Sequence, residues 1–366
     1  MSSTPSHKNR IVVASAGSVK STALVDEVLS LGDKRVLVTT FTTENLEQLR
    51  SFFVERRGCV PANVTLISWY AFLLQDGARP YQSALTGGPR IRSIFFQDLP
   101  NGLPRVKKAS TEQYYLTRAR DLYRDRVAEF VHAVDSASDG QVVSRIEKVY
   151  DHIFVDEVQD LAGYDLEILD RLFASSVGMV GIGDPRQATF TTNRGSKNSQ
   201  YSGGHGFIRW VKEREGKTIA VETRRECHRC QQSICDFADG LYPTLPATVS
   251  TNLTTTGHDG VFAITSEQVA AYCRRFLPMA LRYNRKTTTA GLSALNFGQS
   301  KGRTFARTLI FPTKKMLSYL SSLDLAQAGD IAKFYVAVTR AQHSVAFVVP
   351  DNATRVSATL RPWSEG

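Results

Sequence analysis

Two groups of residues have the types and spacing needed for chemistry on a phosphorylated ligand. The first is the run Ala14–Ser21 (ASAGSVKS), which lies between a β-branched run at Arg10–Ala14 and an amphipathic stretch at Ser21–Leu31. Backbone N–H groups of such a loop, together with the amino end of the next helix, attract phosphate. The lysine can reach β- and γ-phosphates, and the serine after it can ligate Mg²⁺. We therefore expect phosphate contacts from the residues of this loop, namely Ala16, Gly17, Ser18, Val19, Lys20, Ser21 and Thr22.

Val19 departs from the usual phosphate-loop pattern, in which glycine directly precedes the lysine. Glycine serves where a backbone must approach phosphate closely or adopt a positive φ angle, which is costly for a β-branched residue. The sequence therefore predicts that Val19 weakens nucleotide binding.

The second group is Tyr150–Asp160 (YDHIFVDEVQD), in which two adjacent carboxylates follow an apolar run. Asp156 can hold Mg²⁺, and Glu157 can polarise an attacking water molecule. A bare Asp-Glu pair is more often a helix cap. The longer string after a buried strand favours the hydrolytic interpretation, with Asp156 and Ser21 as metal ligands.

These strings resemble motifs of the UvrD/Rep-type superfamily 1 helicases. VDEVQD resembles their Walker B motif, and Gly183–Phe190 (GDPRQATF) resembles their motif III. The resemblance implies that Gln187 senses the γ-phosphate and that Phe190 stacks on a nucleobase. The alternative interpretation of GDPRQ is a plain surface turn.

Three further resemblances follow in the second half of the chain. Arg229 and Ile234 have the spacing of motif IV, Gly298–Phe305 resembles motif V, and Phe334–Ala341 resembles motif VI. They imply that Arg229 contacts phosphate, that Gly302 lies at the nucleotide, and that Arg340 is an arginine finger that stabilises developing charge. Thr304 stands where many relatives carry glutamate, which puts one nucleotide contact in doubt.

Two segments resemble the parts of these helicases that contact a single strand. Aromatic rings stack on any base and hydroxyls meet phosphates, so both residue types suit this task. The alternative is that short Thr/aromatic runs are ordinary strand ends. The expected nucleic-acid residues are Thr40, Phe41, Thr42, Ser68, Trp69 and Phe190.

Strand and helix patterns alternate along the chain, which predicts a parallel α/β architecture. With the resemblance, we expect two RecA-like P-loop NTPase domains, at 1–205 and 206–366, with a small helical insertion at about 79–144 in the first. The residues of the predicted strands are 10–14, 35–40, 64–67, 149–156, 177–183, 218–221, 261–264, 290–296, 308–311 and 345–349.

Composition narrows the choice of partners and compartment. The 366 residues carry a formal charge of +10, which favours polyanions. No apolar run approaches a membrane span, and Met1–Arg10 is polar, so we expect a cytoplasmic protein without membrane contact. The five cysteines fit that compartment. Cys227, Cys230 and Cys235 cluster near His228, where free thiols are favoured over a metal site because a second ligand pair is missing.

The segment Arg105–Arg126 combines seven basic residues with three interleaved tyrosines. One interpretation is a solvated helix face, and the other is a surface that follows the phosphates of a bound strand.

The resemblance implies an ATP- and Mg²⁺-dependent enzyme that moves on single-stranded DNA in the 3′ to 5′ direction. Two alternatives stand beside it. Val19 favours a catalytically weakened module that binds DNA or protein. Short UvrD-like chains also suggest a regulatory ATPase subunit that partners a nuclease in phage defence.

Overall fold

Two six-stranded parallel sheets organise the chain, which confirms the predicted α/β fold class. The computed structural model describes residues 8–97, 103, 106–192, 195–350 and 360–365. Within it the chain divides into two compact units. The first contains the described residues up to Val13, Lys20–Pro185 and Phe190–Glu222, and the second contains the remainder, including Ala14–Val19 and Arg186–Thr189. The predicted domain limits at 205 and 206 stay a prediction.

The strands of the first half are β1 (Arg10–Ala14), β2 (Val36–Thr40), β3 (Val64–Ser68), β4 (Ser93–Phe95), β5 (Asp121–Tyr123), β6 (His152–Asp156), β7 (Gly178–Gly183) and β8 (Ala220–Arg224). The first sheet has the order β3-β2-β6-β7-β1-β8. The strands β2 and β7 are buried along their whole length, as expected for a parallel sheet covered on both faces. Because all these strands are parallel, the residues that follow β1, β2, β3, β6 and β7 emerge at one edge.

The helices of the first half are α1 (Lys20–Ser30), α2 (Thr43–Arg57), α3 (Trp69–Phe72), α4 (Thr111–Tyr115), α5 (Val127–Ala137), α6 (Gln141–Val149), α7 (Tyr164–Ala174) and α8 (Gly203–Arg214). The insertion at about 79–144, which was expected to be helical, also contains two strands. Arg120 adopts a φ of 63°, and β5 follows it and pairs with β4. Residues 98–102, 104–105 and 193–194, which include Arg105 of the basic segment, lie outside the described ranges.

The second half contains β9 (Glu226–Cys227), α9 (Gln232–Asp239), β10 (Val249–Ser250), β11 (Gly260–Thr265), α10 (Val269–Phe276), β12 (Met279–Arg282), β13 (Leu295–Asn296), β14 (Phe305–Phe311), α11 (Lys314–Ser322), α12 (Ile331–Val338), β15 (Ala341–Val349) and β16 (Arg361–Pro362). Its sheet has the order β13-β12-β14-β15-β11-β16. Side chains on one face pack with α9, α11 and α12, whereas Phe262, Leu309 and Phe311 on the other face pack with α10.

The prediction of a strand at 290–296 is wrong for most of that range. Ala290 and Gly291 both have positive φ angles, of 50° and 78°, and only Leu295–Asn296 pairs with the sheet. The place beside β14 is taken instead by β12, which was not predicted. Among the described residues, no helix has the length and apolar character needed to span a bilayer.

Candidate functional site

The loop that was expected to bind phosphate lies between the end of β1 and the start of α1. Gly17 has a φ of 76° and Val19 a φ of 49°, so both occupy the left-handed region that favours glycine. The side chain of Val19 is 52% exposed, so burial offsets little of the cost of this conformation. The loop therefore adopts a glycine-type backbone with a valine at its last position.

Within the second unit, the loop packs against the segment that resembles motif IV. The N–H of Ser15 donates to the carbonyl of Arg224 (3.0 Å), and the N–H of His228 donates to the carbonyl of Gly17 (2.9 Å). A Cβ on Gly17 would lie 2.7 Å from Cβ of Arg229 and 2.9 Å from Sγ of Cys227. Position 17 therefore excludes every side chain, for reasons of both backbone angle and space.

In the first unit, the ends of α1 and β6 bring four predicted site residues together. Lys20 Nζ lies 2.8 Å from Oε1 of Glu157, and the Ser21 hydroxyl donates to Oδ2 of Asp156 (3.1 Å). Both carboxylates are buried. Burial and, less strongly, the charge of Glu157 raise the pKa of Asp156 above its usual value, while Lys20 and Ser21 act in the opposite direction. A buried carboxylate and a hydroxyl in contact form a donor set that fits Mg²⁺.

Gln159 contacts a predicted site residue, although the sequence assigned it no role. Its Nε2 donates to Oε2 of Glu157 (2.5 Å), and its Oε1 accepts from the N–H of Asp184 (3.1 Å). A Cβ on Gly183 would lie 2.0 Å from that same Oε1. Gln159 thus links the carboxylate of Glu157 to the backbone at the end of β7. Gly183 leaves the space that the Gln159 side chain occupies. The signal was the joint occurrence of Gln159 in VDEVQD and Gly183 in GDPRQ.

In the second unit, Gln187 and Arg340 lie side by side. Arg340 is almost fully buried at 1% exposure, and its Nη2 donates to Oε1 of Gln187 (2.9 Å). Arg229 donates through Nη1 to the carbonyl of Thr339 (3.1 Å), the residue before Arg340. The structure therefore brings together three residues that were expected to contact phosphate. Lys301, whose Nζ donates to the carbonyl of Gln187 (3.1 Å), is a third basic group beside Arg340 and Arg229, and no role was predicted for it.

The other two residues that were expected to contact the nucleotide lie in a turn and at the start of a helix. Gly302 lies in the turn before β14 with a φ of 81°, and Thr22 is the third residue of α1. The thiols of Cys227, Cys230 and Cys235 form no disulfide and are buried in the core of the second unit. In the described ranges, no group of three or more His, Cys, Asp and Glu side chains is arranged to hold a metal ion.

The residues expected to contact nucleic acid follow β2 and β3 at the same edge of the first sheet. Thr42 caps α2 by accepting from the N–H of Asn45 (3.2 Å), and Ser68 caps α3 by accepting from Ala71 (3.2 Å). Thr40 is buried at the end of β2. Trp69 is fully buried, with its indole N–H bonded to Asp165 (2.6 Å), so its ring offers no surface to a strand in this structure.

An aromatic cluster stands beside these caps. Tyr70 lies 5.7 Å from Phe41 and 5.3 Å, edge to face, from Phe96. Its hydroxyl donates to the carbonyl of Thr192 (3.0 Å), two residues beyond Phe190. All aromatic residues of the chain lie in the described ranges, and Phe96 and Phe190 are the two that are exposed. Phe96 was not predicted, because only its position beside Tyr70 distinguishes it from other phenylalanines.

Comparison with known proteins supports the helicase resemblance. Residues 107–203 match the UvrD/REP helicase N-terminal domain, which confirms the resemblance over that stretch. The fold is similar to that of arterivirus nonstructural protein 10, a helicase solved in complex with DNA, at a TM-score of 0.50 and 16% identity, over 94% of this chain and 61% of that one. The PRRSV helicase is similar at a TM-score of 0.46 and 16% identity, over 95% of this chain and 54% of that one. The chain thus spans about three fifths of the length of these helicases or less. No curated protein sequence matches it.

Proposed function

We propose that this protein is a nucleic-acid-dependent ATPase that couples hydrolysis of ATP to movement on single-stranded DNA. The observation that carries the proposal is the contact of Lys20 with Glu157 and of Ser21 with Asp156, at the edge where a phosphate loop meets a Walker B strand. The partial family match and the likeness to a helicase solved with DNA support it. Movement from 3′ to 5′ and the choice of DNA rest on the resemblance alone.

The roles proposed for the first unit follow from its contacts. The hydroxyl of Ser21 and the carboxylate of Asp156 would hold Mg²⁺, which, when bound, supplies positive charge to the phosphate oxygens. The ammonium of Lys20 exchanges its partner Glu157 for phosphate oxygens of ATP. Glu157 is then free to accept the proton of the attacking water while Gln159 keeps the carboxylate in place. The oxygen of that water forms a bond to the γ-phosphorus, and the bond to the β–γ bridging oxygen breaks.

In the second unit, Arg340, Gln187 and Arg229 are proposed to stabilise the charge that develops on the transferred phosphoryl group. A bound γ-phosphate would offer Arg340 charged acceptors in exchange for the amide oxygen of Gln187. Gly302 and the loop residues 16–19 are proposed to approach the nucleotide through their backbones. The exposed rings of Phe96 and Phe190, with Phe41, Thr42 and Ser68, are proposed to contact the strand, whereas Thr40 is buried, as Trp69 is.

Replacing Glu157 with glutamine tests the hydrolytic assignment. Glu157→Gln keeps the side-chain shape and the Mg²⁺ ligands Ser21 and Asp156 but removes the proton acceptor. We expect hydrolysis of ATP to fall by at least about a hundredfold while binding of an ATP analogue persists. Glu55→Gln, an exposed acid on α2, is the control for loss of one negative charge. Hydrolysis by Glu157→Gln at the parent rate would refute the Walker B assignment.

A second candidate function is that of a module that binds DNA or protein with weak nucleotide turnover. The observation that favours it is the positive φ of Val19, at the position where the phosphate-loop pattern has glycine. A parent chain that binds DNA but hydrolyses ATP only after Val19→Gly would support this candidate. A partnership with a nuclease in phage defence, and the cytoplasm as compartment, stay predictions.

A further inference from the structure

The positive charge of this protein is concentrated in its second unit. That unit carries 18 Lys and Arg residues against 9 Asp and Glu, whereas the first unit carries 27 against 26. Binding of Lys and Arg to a polyanion releases its counterions. We therefore expect the strongest electrostatic attraction of a polyanion to be to the second unit.

Part of this charge surrounds a stack of three rings at the amino-terminal end of β11. His258 lies between Phe262 (4.0 Å, 19°) and Phe276 (3.8 Å, 12°). Guanidinium groups lie over both outer rings, with Arg361 4.6 Å from the centre of Phe262, and Arg275 and Arg307 5.5 and 5.7 Å from the centre of Phe276. Arg274 precedes Arg275 at the exposed end of α10. We call these four residues, Arg274, Arg275, Arg307 and Arg361, the arginine surface.

Among the described residues, no carboxylate is paired directly with the arginine surface, although Asp259 lies beside it. Arg307 donates to the hydroxyl of Thr256 (2.7 Å) and Arg361 to the backbone carbonyl of Asp259. The carboxylate of Asp259 is occupied by Thr256 and lies 3.8 Å from His343. Within the described ranges, none of the four arginines forms an ion pair with Asp or Glu. Like charges held this close repel one another, and a polyanion would relieve that repulsion.

The arginine surface is separate from the residues proposed to bind ATP. The β-sheet side chains Phe262, Arg307 and Leu309 share the face that packs with α10. Motif IV and motif VI residues belong to α9, α12 and their flanks, on the opposite face. A role in ATP binding therefore does not explain this cluster. Its four cationic side chains are all arginine, whose planar fork pairs with phosphate oxygens two at a time.

We propose that the arginine surface is a second nucleic-acid contact, which binds the phosphodiester backbone rather than the bases. This rests on the proposed function in that the same strand is the partner. The half-buried ring of Phe276 holds Arg275 and Arg307 in place, so their guanidinium groups are ordered before the strand arrives. The surface adds length and salt sensitivity to the binding site without adding sequence preference.

A pair of double variants tests the proposal. Arg274→Gln/Arg275→Gln removes two charges from the exposed end of α10, and Lys314→Gln/Lys315→Gln removes two adjacent exposed charges from α11 on the opposite face. Binding of a fluorescent oligothymidylate is measured from about 50 to about 200 mM salt. We expect the arginine variant to lose about tenfold in affinity at low salt and to reduce the slope of log K against log salt by about 1.4, which is two single-strand phosphate contacts. The lysine variant should change neither value.

The alternatives have different signatures. Equal effects of the two variants, or none, would overturn the proposal, and so would a parent chain that hydrolyses ATP but binds no oligothymidylate. Poly-glutamate binding that depends on Arg274 and Arg275, with oligothymidylate binding unchanged, would assign the surface to an acidic protein instead. Because the basal rate of ATP hydrolysis is measured in the same samples, failure of the proposed function appears separately, as no hydrolysis by the parent.

Discussion

Replacing Val19 with glycine has two opposite effects on the free energy of unfolding, and the two effects differ in size. Val19 has a φ of 49°, and a residue with a Cβ pays on the order of 1–2 kcal/mol in that region, more when it is β-branched. Glycine gains flexibility in the unfolded chain, which lowers the free energy of unfolding by about 0.4–1 kcal/mol. The isopropyl group contributes little burial, because Val19 is 52% exposed. We therefore expect Val19→Gly to raise the free energy of unfolding by about 0.5–1 kcal/mol.

The same substitution removes a side chain from the loop that is proposed to wrap the phosphates. A misfit of only 1.4 kcal/mol corresponds to a tenfold loss in affinity, so we expect the Kd for an ATP analogue to fall about tenfold in Val19→Gly. Urea unfolding and calorimetric titration measure the two quantities. Val54→Gly is the control, since Val54 is 48% exposed on α2 and glycine in a helix destabilises.

Two results would contradict these expectations for Val19→Gly. A Val19→Gly variant that unfolds more readily than the parent would show that valine is accommodated without strain. Equal Kd values for the two chains would show that the loop reaches the phosphates in spite of its side chain.

Three further perturbations follow from the site and the core. Gln159→Met removes both hydrogen bonds that orient Glu157, so kcat for ATP should fall about tenfold or more with KM nearly unchanged, and an unchanged kcat would contradict the orienting role. Phe96→Ala should weaken oligothymidylate binding by about 1–3 kcal/mol if a base stacks there, whereas Val249→Ala, an exposed residue of the second unit, should leave binding as it is. Burial, with Arg307 and Arg361, lowers the pKa of His258 to about 4, and Arg275 acts in the same direction while Asp259 opposes it. His258 therefore favours folding above its unfolded pKa of about 6.5, and about 2 kcal/mol of stability should be lost between pH 7 and pH 5 in the parent but not in His258→Phe.

The parts of the fold that the sequence predicts best are buried parallel strands with clear ends. β1, β2, β6 and β7 were predicted to within about three residues, because each is an apolar run bounded by charges, glycine or the phosphate loop. β12 was missed, since a four-residue strand that follows Pro278 and ends in Arg282 lacks such a run. The strand β5, which begins directly after Arg120, was not predicted, because a positive φ at arginine leaves no mark in hydrophobic periodicity.

The residues of the candidate site likewise differ in how well the sequence predicts their roles. Lys20, Ser21, Asp156 and Glu157 could be assigned because their chemistry is carried by their own types and by position after a strand. The orienting role of Gln159 depends on the space left by Gly183, which is far away in sequence. The arginine surface joins α10, β14 and β16, and no local pattern indicates that these elements meet.

The rate of ATP hydrolysis with and without single-stranded DNA tests the central claim most directly. The parent chain, Val19→Gly and Glu157→Gln are compared at saturating Mg²⁺, with oligothymidylate as the single strand and with duplex as the reference. We predict hydrolysis that single strands stimulate more than duplex does, a higher rate or lower KM in Val19→Gly, and no rate above background in Glu157→Gln. Hydrolysis that is absent from both the parent and Val19→Gly, or that persists in Glu157→Gln, would contradict the account.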